Sequence, residues 1–262
     1  MTLVPLPART AVALALVSAV GLAGFGWPFL ITPGHALDSS HSTDAPLLFI
    51  AVLPLLAAVV LAELTSGRMD AKAVAMLGML TATGGALRAL GPGTAGLEPS
   101  FAIVILGGRV FGRGFGFVLG ALTVFVGALV TGGVGPWLPF QMVAAGWVGF
   151  GAGCLPRARG RVEVGWLAGY AAVAGLLFGA VMNLWFWPFA AFGPETSYVA
   201  GDPLGANLAR YGLFYLATSL VWDLGRGVLN LLVLALAGAP LLRALRRAAR
   251  RAAFDVPVVF ER

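Results

Sequence analysis

The stretch PSFAIVILGGRVFGRGFGFVLGALTVFVGALVT, residues 99–131, decides the fold. It carries only two charged side chains, Arg109 and Arg113, and they stand where one apolar run meets the next. A membrane-spanning helix needs about 20 mostly apolar residues, because lipid offers the backbone no hydrogen-bond partners. The second run, 114–131, meets that requirement. The first, 99–112, is barely long enough, so a short or kinked span competes with a re-entrant segment.

The composition of the whole chain agrees with this stretch. Of its 262 residues, 59% are hydrophobic and 11% are charged, whereas a soluble domain has about 25% charged residues. The sequence therefore predicts an integral membrane protein of the all-α class, a polytopic transmembrane helical bundle. Apart from the short run, the predicted spans lie near 10–31, 46–64, 71–90, 114–131, 137–155, 164–190 and 212–240.

The positions of the basic residues decide the number of spans. Cytoplasmic loops carry an excess of Lys and Arg. If the short run crosses, 14 of the 17 basic residues fall on one side, whereas seven spans would divide the arginine-rich loops between both sides. We therefore predict eight spans, a multi-pass protein of the cell membrane and both termini in the cytoplasm. The net charge of +6 is then explained by topology, and nucleic acid is not expected as a partner.

An apolar run near the N-terminus and an arginine run near the C-terminus mark the two ends of the chain. The N-terminal apolar run resembles a signal peptide, but its roughly 20 residues exceed the 7–15 expected of one, which favours a retained helix. We divide the chain into an N-terminal pair of transmembrane helices (1–66), a core (67–242) and a basic cytoplasmic tail (243–262). The arginine run at 243–251 anchors the last span on the inner side, or alternatively binds anionic lipid or a partner.

Several kinds of chemistry are excluded. The two histidines, His35 and His41, lie in one outer loop, so neither a buried Ser/His dyad nor a two-histidine metal site can be built. HExxH and the phosphate-binding loop of ATPases are absent. We expect no enzyme activity, no metal and no cofactor. The single cysteine, Cys154, is interpreted as a packing residue.

Glycine is abundant, and much of it is spaced for contact between helices. Three pairs lie four residues apart, a spacing that lets transmembrane helices approach closely: Gly116 with Gly120, Gly165 with Gly169, and Gly175 with Gly179.

Polar groups within spans are costly and therefore mark functional candidates. LVWDLGRGVLN in the last span places Asp223, Arg226 and Asn230 on one helix face. Asp223 and Arg226 can neutralise each other, either as a structural ion pair or as part of a solute site. Asn183 follows Gly179 on the same face of its helix. Arg88, in the outer half of its span, is expected to extend outward to the membrane surface.

Four segments carry a resemblance to a known family: ILGGRVFGRGFGFVLGALTVFVGAL (105–129), GGVGPWLPFQMVAAGWVGFGAG (132–153), GLLFGAVMNLWFWPF (175–189) and LVWDLGRGVLNLLVL (220–234). In this order they resemble the substrate-binding S components of energy-coupling factor (ECF) transporters, over about residues 71–251. The most specific parts are GPWxPxQM at 135–142 and MNLWxW at 182–187.

The resemblance implies a six-helix core, which fits the last six predicted spans and leaves the first two as an extension. It also implies partners: a transmembrane coupling subunit, two cytoplasmic ATPases and a small-molecule micronutrient such as a vitamin. In such proteins alanines four apart on the first core helix contact the coupling subunit. Ala71 with Ala75 fits that pattern, and so does Ala82 with Ala86.

The segment GGVGPWLPFQM (132–142) is then predicted to be an outer turn that leads into a helix. Aromatic walls with a few convergent polar groups are typical of small-molecule pockets. The predicted solute-binding residues are Trp137, Gln141, Asn183, Trp187, Asp223 and Arg226. The competing interpretation makes Trp137 an interfacial anchor and gives Gln141 only a capping role.

The predicted function is therefore the membrane-embedded substrate-binding subunit of an ECF-type ABC importer. Cobalamin or a related compound is the leading candidate for the solute, and folate, pantothenate and other vitamins stay open. Two other classes also stay open. One is an ion-coupled secondary transporter in which Asp223 titrates, and the other is a membrane scaffold without transport activity.

Overall fold

The computed structural model describes residues 6–26, 29, 44–65, 71–91, 96–189 and 192–251. Within these residues the chain is helical and contains no strand. The helices are α1 (Ala8–Gly26), α2 (Asp44–Leu64), α3 (Ala71–Arg88), α4 (Ser100–Phe111), α5 (Arg113–Thr131), α6 (Leu138–Cys154), α7 (Gly160–Phe186), α8 (Leu204–Thr218) and α9 (Leu220–Arg251), with one 3₁₀ turn at Trp187–Phe189.

The helices alternate in direction. Arg88, the last residue of α3, contacts Glu98, just before α4. Arg109, in the last turn of α4, contacts Glu163 in the first turn of α7. We call the end where α4 begins the upper end and the end where α4 finishes the lower end. Short connections then make α5 and α7 run upward and α6 downward.

The remaining long helices follow the same alternation. Phe25, near the end of α1, packs on Phe140 at the start of α6, so α1 runs upward. A Cβ atom on Gly114, at the start of α5, would touch the carboxylate of Glu63 near the end of α2, so α2 runs downward. α9 starts at the upper end and returns to the lower one, where Arg246 contacts Glu163. The start of α1 and the end of α9 therefore lie at the same end, as the predicted eight passes require.

Length and composition separate these helices into two groups. Among the described residues, four helices are long and apolar enough to cross a membrane: Ala8–Gly26, Arg113–Thr131, Gly160–Phe186 and Leu220–Arg250. Val52–Leu64 and Ser100–Phe111 are shorter apolar helices. The 12 residues of α4 measure about 18 Å, less than the ~30 Å of a bilayer core.

The last predicted span differs from the structure at both ends. Residues 212–218 belong to the separate helix α8, and the chain turns at Ser219 before α9 begins at Leu220. At the other end, α9 continues through the arginine run to Arg251. Hydropathy could not reveal the break, because the residues on both sides of Ser219 are apolar. The rest of the predicted tail, 252–262, lies outside the described residues.

Two of the three predicted glycine pairs hold helices together. Side chains on Gly116 and Gly120 would overlap backbone carbonyls of α6, and a side chain on Gly175 would overlap Gly227 of α9. Small residues at these positions allow the close approach that stabilises helix contacts in lipid.

The third pair, Gly165 and Gly169, was predicted wrongly, since a Cβ atom on either would meet nothing within 4 Å. The interpretation of Cys154 as a packing residue was also wrong, because its side chain is exposed.

The two N-terminal helices pack on the core through α5, α6 and α7. Trp147 donates a hydrogen bond from Nε1 to the Ser18 hydroxyl (2.9 Å). A Cβ atom on Gly24 would lie 2.7 Å from the Phe140 ring, and the Phe25 and Phe140 rings meet edge to face at 5.2 Å. These helices therefore cover parts of α5, α6 and α7.

Candidate functional site

A network of charged side chains lies at the upper end of the bundle. Glu98, in the connection before α4, accepts hydrogen bonds from Arg88 Nη1 (3.0 Å) and from the Ser100 hydroxyl (2.8 Å) on the same oxygen, Oε1. Arg88 also donates from Nη2 to Gln141 Oε1 (2.9 Å). One arginine thus joins α3, the start of α4 and the first turn of α6. The expectation that Arg88 simply extends outward was wrong, because the side chains of Glu98 and Gln141 hold it in place.

Arg226 of α9 continues the network. It donates from Nη1 to Asp223 Oδ1 at 2.7 Å, which confirms the predicted pairing. Its Nε lies 3.7 Å from Glu98 Oε2. The guanidinium stands over the rings of Phe101 (5.8 Å) and Phe178 (5.1 Å), where cation–π attraction stabilises it. We call Arg88, Glu98, Asp223 and Arg226 the upper charge layer.

Asn230 has a structural role beneath this layer. Its Oδ1 accepts a hydrogen bond from the backbone N–H of Ala102 (2.8 Å), and its Nδ2 donates to the carbonyl of Glu98 (2.7 Å) and to that of Arg226 (2.9 Å). α4 has no side-chain cap of its own, so Asn230 supplies one from α9. It is fully buried, and its hydrogen bonds fix α4 against α9.

Three buried polar atoms near this layer have no hydrogen-bond partner among the described residues. They are Asn183 Nδ2, Asp223 Oδ2 and Arg226 Nε. The Asp223 carboxylate packs directly on Gly179, where any Cβ atom would overlap it, and Asn183 follows one turn later on α7. Buried polar groups are nearly always paired, so unpaired ones need an explanation.

Four of the predicted site residues therefore gather in one region. Asp223 and Arg226 belong to the layer itself, Gln141 is bonded to it through Arg88, and Asn183 lies one turn from the Asp223 contact.

Trp137 and Trp187 lie elsewhere. Trp137 stands on the turn before α6, is 39% exposed and donates from its ring N–H to the Gly133 carbonyl (3.1 Å). Trp187 is fully buried. It donates to the Thr196 carbonyl (2.7 Å) and contacts the rings of Tyr198 and Tyr211.

The connection between α7 and α8 closes over this second aromatic group. Asn207 of α8 binds both the N–H and the carbonyl of Val199, and Arg210 pairs with Asp202 (2.7 Å). Burial raises the pKa of the Tyr198 phenol, so its ring stays neutral in this cover. Residues 92–95 and 190–191 lie outside the described residues.

A second ionic cluster, the lower charge layer, is built from Arg109, Glu163 and Arg246. Glu163 is 1% exposed, and its Oε1 accepts from Arg109 Nε (2.7 Å) and Arg246 Nη2 (2.6 Å). Arg109 also donates to the carbonyls of Leu155 (2.9 Å) and Pro156 (3.0 Å). This layer ties α4, α7, α9 and the connection before α7 together. Short α4 thus links the two layers.

Sequence reasoning missed Arg88, Glu98 and Glu163 as members of networks. Glu98 was counted only as an acid of an outer loop, and Glu163 was not considered. One usable signal existed for the upper layer, because Arg88 and Glu98 are opposite charges that flank a single short connection. Among the described residues, no three His, Cys, Asp or Glu side chains are grouped so that they could hold a metal ion.

Comparison with known proteins supplies the family. The family model described as ECF transporter, substrate-specific component, matches residues 72–237. No curated protein and no solved structure matches the chain. The matched range holds α4 to α8 with most of α3 and α9, and both the upper layer and Glu163 lie within it. The helical membrane bundle therefore belongs to a transporter class.

The chain belongs to the family of ECF transporter substrate-specific components. Members of this family are substrate-binding subunits of importers and not enzymes, and they associate with the membrane components of the ECF module. The first two helices precede the matched range.

Proposed function

We propose that the chain captures a small micronutrient, such as a vitamin, at its upper end and delivers it inward when an ECF module powers the transport. The observation that carries this proposal is the set of unpaired buried atoms of Asn183, Asp223 and Arg226 beside a charge network. A solute that satisfied these atoms would recover hydrogen bonds that the chain alone leaves unmade.

The orientation follows from the basic residues. Of those described, only Arg88, Arg210 and Arg226 lie toward the upper end, and all the others lie toward the lower end. By the positive-inside rule the lower end faces the cytoplasm. Both termini are then cytoplasmic, and the upper layer faces the side from which the solute arrives.

The predicted site residues take different roles in this proposal. Asn183, Asp223 and Arg226 contact the solute directly. Gln141 holds Arg88 in position, and exposed Trp137 stands at the entrance. Trp187 organises the cover formed by the connection before α8. Cobalamin or a related compound is the leading candidate for the solute.

Docking to the coupling subunit is assigned to α3. Ala71 and Ala75 are exposed, and so are Gly78, Ala82 and Ala86 on the same side of the helix. The N-terminal helices pack on α5, α6 and α7, and these residues of α3 stay exposed. Small side chains there allow another helix to approach closely.

Reconstitution tests the proposal. The chain would be placed in proteoliposomes alone, and then together with a coupling subunit and two ATPases, and ATP-dependent vitamin uptake would be measured. We expect uptake only with the complete module. Uptake by the chain alone would support the ion-coupled transporter, and the absence of any saturable solute binding would support the scaffold.

A further inference from the structure

The charges of the upper layer balance. It contains two arginines, Arg88 and Arg226, and two carboxylates, Glu98 and Asp223. Each arginine lies within ion-pair distance of a carboxylate: Arg88 at 3.0 Å from Glu98, Arg226 at 2.7 Å from Asp223. A charged group added to this neutral set would be buried without a counter-charge, which is costly inside a membrane.

The atoms left unpaired define a complementary pattern. Asn183 Nδ2 and Arg226 Nε can only donate a hydrogen bond, and ionised Asp223 Oδ2 can only accept one. Asn183 and Asp223 lie on facing helices, since the Asp223 carboxylate rests on Gly179 and Asn183 is one turn further along α7. The Tyr215 hydroxyl is close enough to the Asp223 carboxylate to interact with it, but its hydrogen bond goes to the Leu176 carbonyl (3.4 Å) and leaves Asp223 Oδ2 unpaired. A solute that fills these valences must carry both an acceptor and a donor.

A carboxamide or cyclic amide has these two groups side by side. Its carbonyl oxygen accepts from Asn183, and its N–H donates to Asp223. A carboxylate can accept from Asn183, but it has no donor for Asp223 and brings a second negative charge close to the first.

We infer that the solute is electrically neutral at the upper layer and binds there through an amide group. This inference rests on the proposed solute-binding function and specifies its substrate class. Arg226, stacked on Phe101 and Phe178, then serves to balance Asp223 rather than to hold an acidic solute.

Matched pairs of amide and acid test the inference. The purified chain would be titrated with nicotinamide and nicotinate, and with lipoamide and lipoate, while binding is followed by calorimetry; the acid of each pair keeps no other amide group. We expect at least one amide to bind, at least tenfold more tightly than its acid. Equal or tighter binding of the acid would overturn the inference but leave the proposed function standing. If no amide binds, the inference fails, while the proposed function is decided separately by the reconstituted uptake assay.

Substitution of Asn183 separates binding from folding. Asn183→Leu removes a buried donor that has no partner, so the melting temperature without solute should stay the same or rise. Affinity for the amide that binds should fall about tenfold.

The matched control is Asn207→Leu. Asn207 is bonded twice to Val199, so this change should lower the melting temperature. If Asn183→Leu lowers the melting temperature as Asn207→Leu does and leaves amide affinity unchanged, Asn183 is a structural residue and the inference fails.

Discussion

The upper and lower charge layers contain the same residue types but differ in how fully they are paired. In the lower layer, Arg109 donates from all three of its nitrogens, and one oxygen of Glu163 serves two arginines. In the upper layer, one oxygen of Asp223 and one nitrogen of Arg226 are buried without a hydrogen bond. A fully paired network stabilises a structure, whereas a partly paired one is costly. In our proposal this difference makes the lower layer a clamp and the upper layer the candidate solute site.

The largest effect is expected from breaking the lower layer. Glu163→Ala leaves Arg109 buried without its carboxylate, and the loss of one partner of a buried pair costs about 3–5 kcal/mol. The free energy of unfolding in detergent should fall by that amount. Solute affinity of the folded fraction should stay unchanged, because Glu163 lies at the other end of α4. A loss of affinity at unchanged stability would reverse the roles of the two layers.

Removing a carboxylate from the upper layer should lower both the stability of the chain and its affinity for solute. Asp223→Ala leaves Arg226 with only the more distant Glu98 carboxylate at 3.7 Å, at a cost of about 3 kcal/mol. Folded yield and solute binding should decrease together. Normal yield with normal binding would exclude Asp223 from both roles. Asp223→Asn, which keeps the shape of the side chain, shows how much of the effect is due to charge.

A smaller loss of stability is expected from a substitution at the contact between α7 and α9. Gly179→Ala places a methyl group on the Asp223 carboxylate, and such overpacking costs about 1–3 kcal/mol. Gly169→Ala is the matched control on the same helix, where a Cβ atom meets nothing, and it should be neutral or slightly stabilising. Thermal unfolding of both variants is the measurement. Equal behaviour would show that α7 and α9 do not meet as described.

The smallest effect on stability is expected on α3. A Cβ atom on Gly78 meets nothing within 4 Å, so Gly78→Leu should change the unfolding free energy by no more than about 0.5 kcal/mol. It should nevertheless abolish co-purification with the coupling subunit, because the larger side chain separates the helices. Gly169→Leu on α7 is the control that should still co-purify. If both variants still co-purify with the coupling subunit, α3 is not part of that interface.

The sequence predicted the helices well and the networks poorly. Hydrophobic runs were enough to locate the helices, because the membrane constrains segment length and composition; four of the described helices are long and apolar enough to cross, and eight passes stays a prediction. The break at Ser219 was missed, since α8 and α9 are both apolar around it. Gly165 and Gly169 show that spacing alone does not reveal whether a partner helix is present.

The candidate site was only partly predictable for a similar reason. Asp223 and Arg226 are three residues apart on one helix, so their pairing follows from local geometry. Arg88 and Gln141 are 53 residues apart, and their contact depends on how α3 and α6 pack. How the helices pack decides whether a buried polar atom has a hydrogen-bond partner. The two charge layers differ in how many of their buried polar atoms have one.

The most direct test of the account is native mass spectrometry of the detergent-purified chain from a vitamin-rich culture, beside Asp223→Asn prepared in the same way. The account predicts a specific small molecule bound to the unmodified chain and lost from the variant. An empty unmodified chain, or a bound molecule that the variant retains equally, would contradict the assignment of the upper charge layer as the solute site.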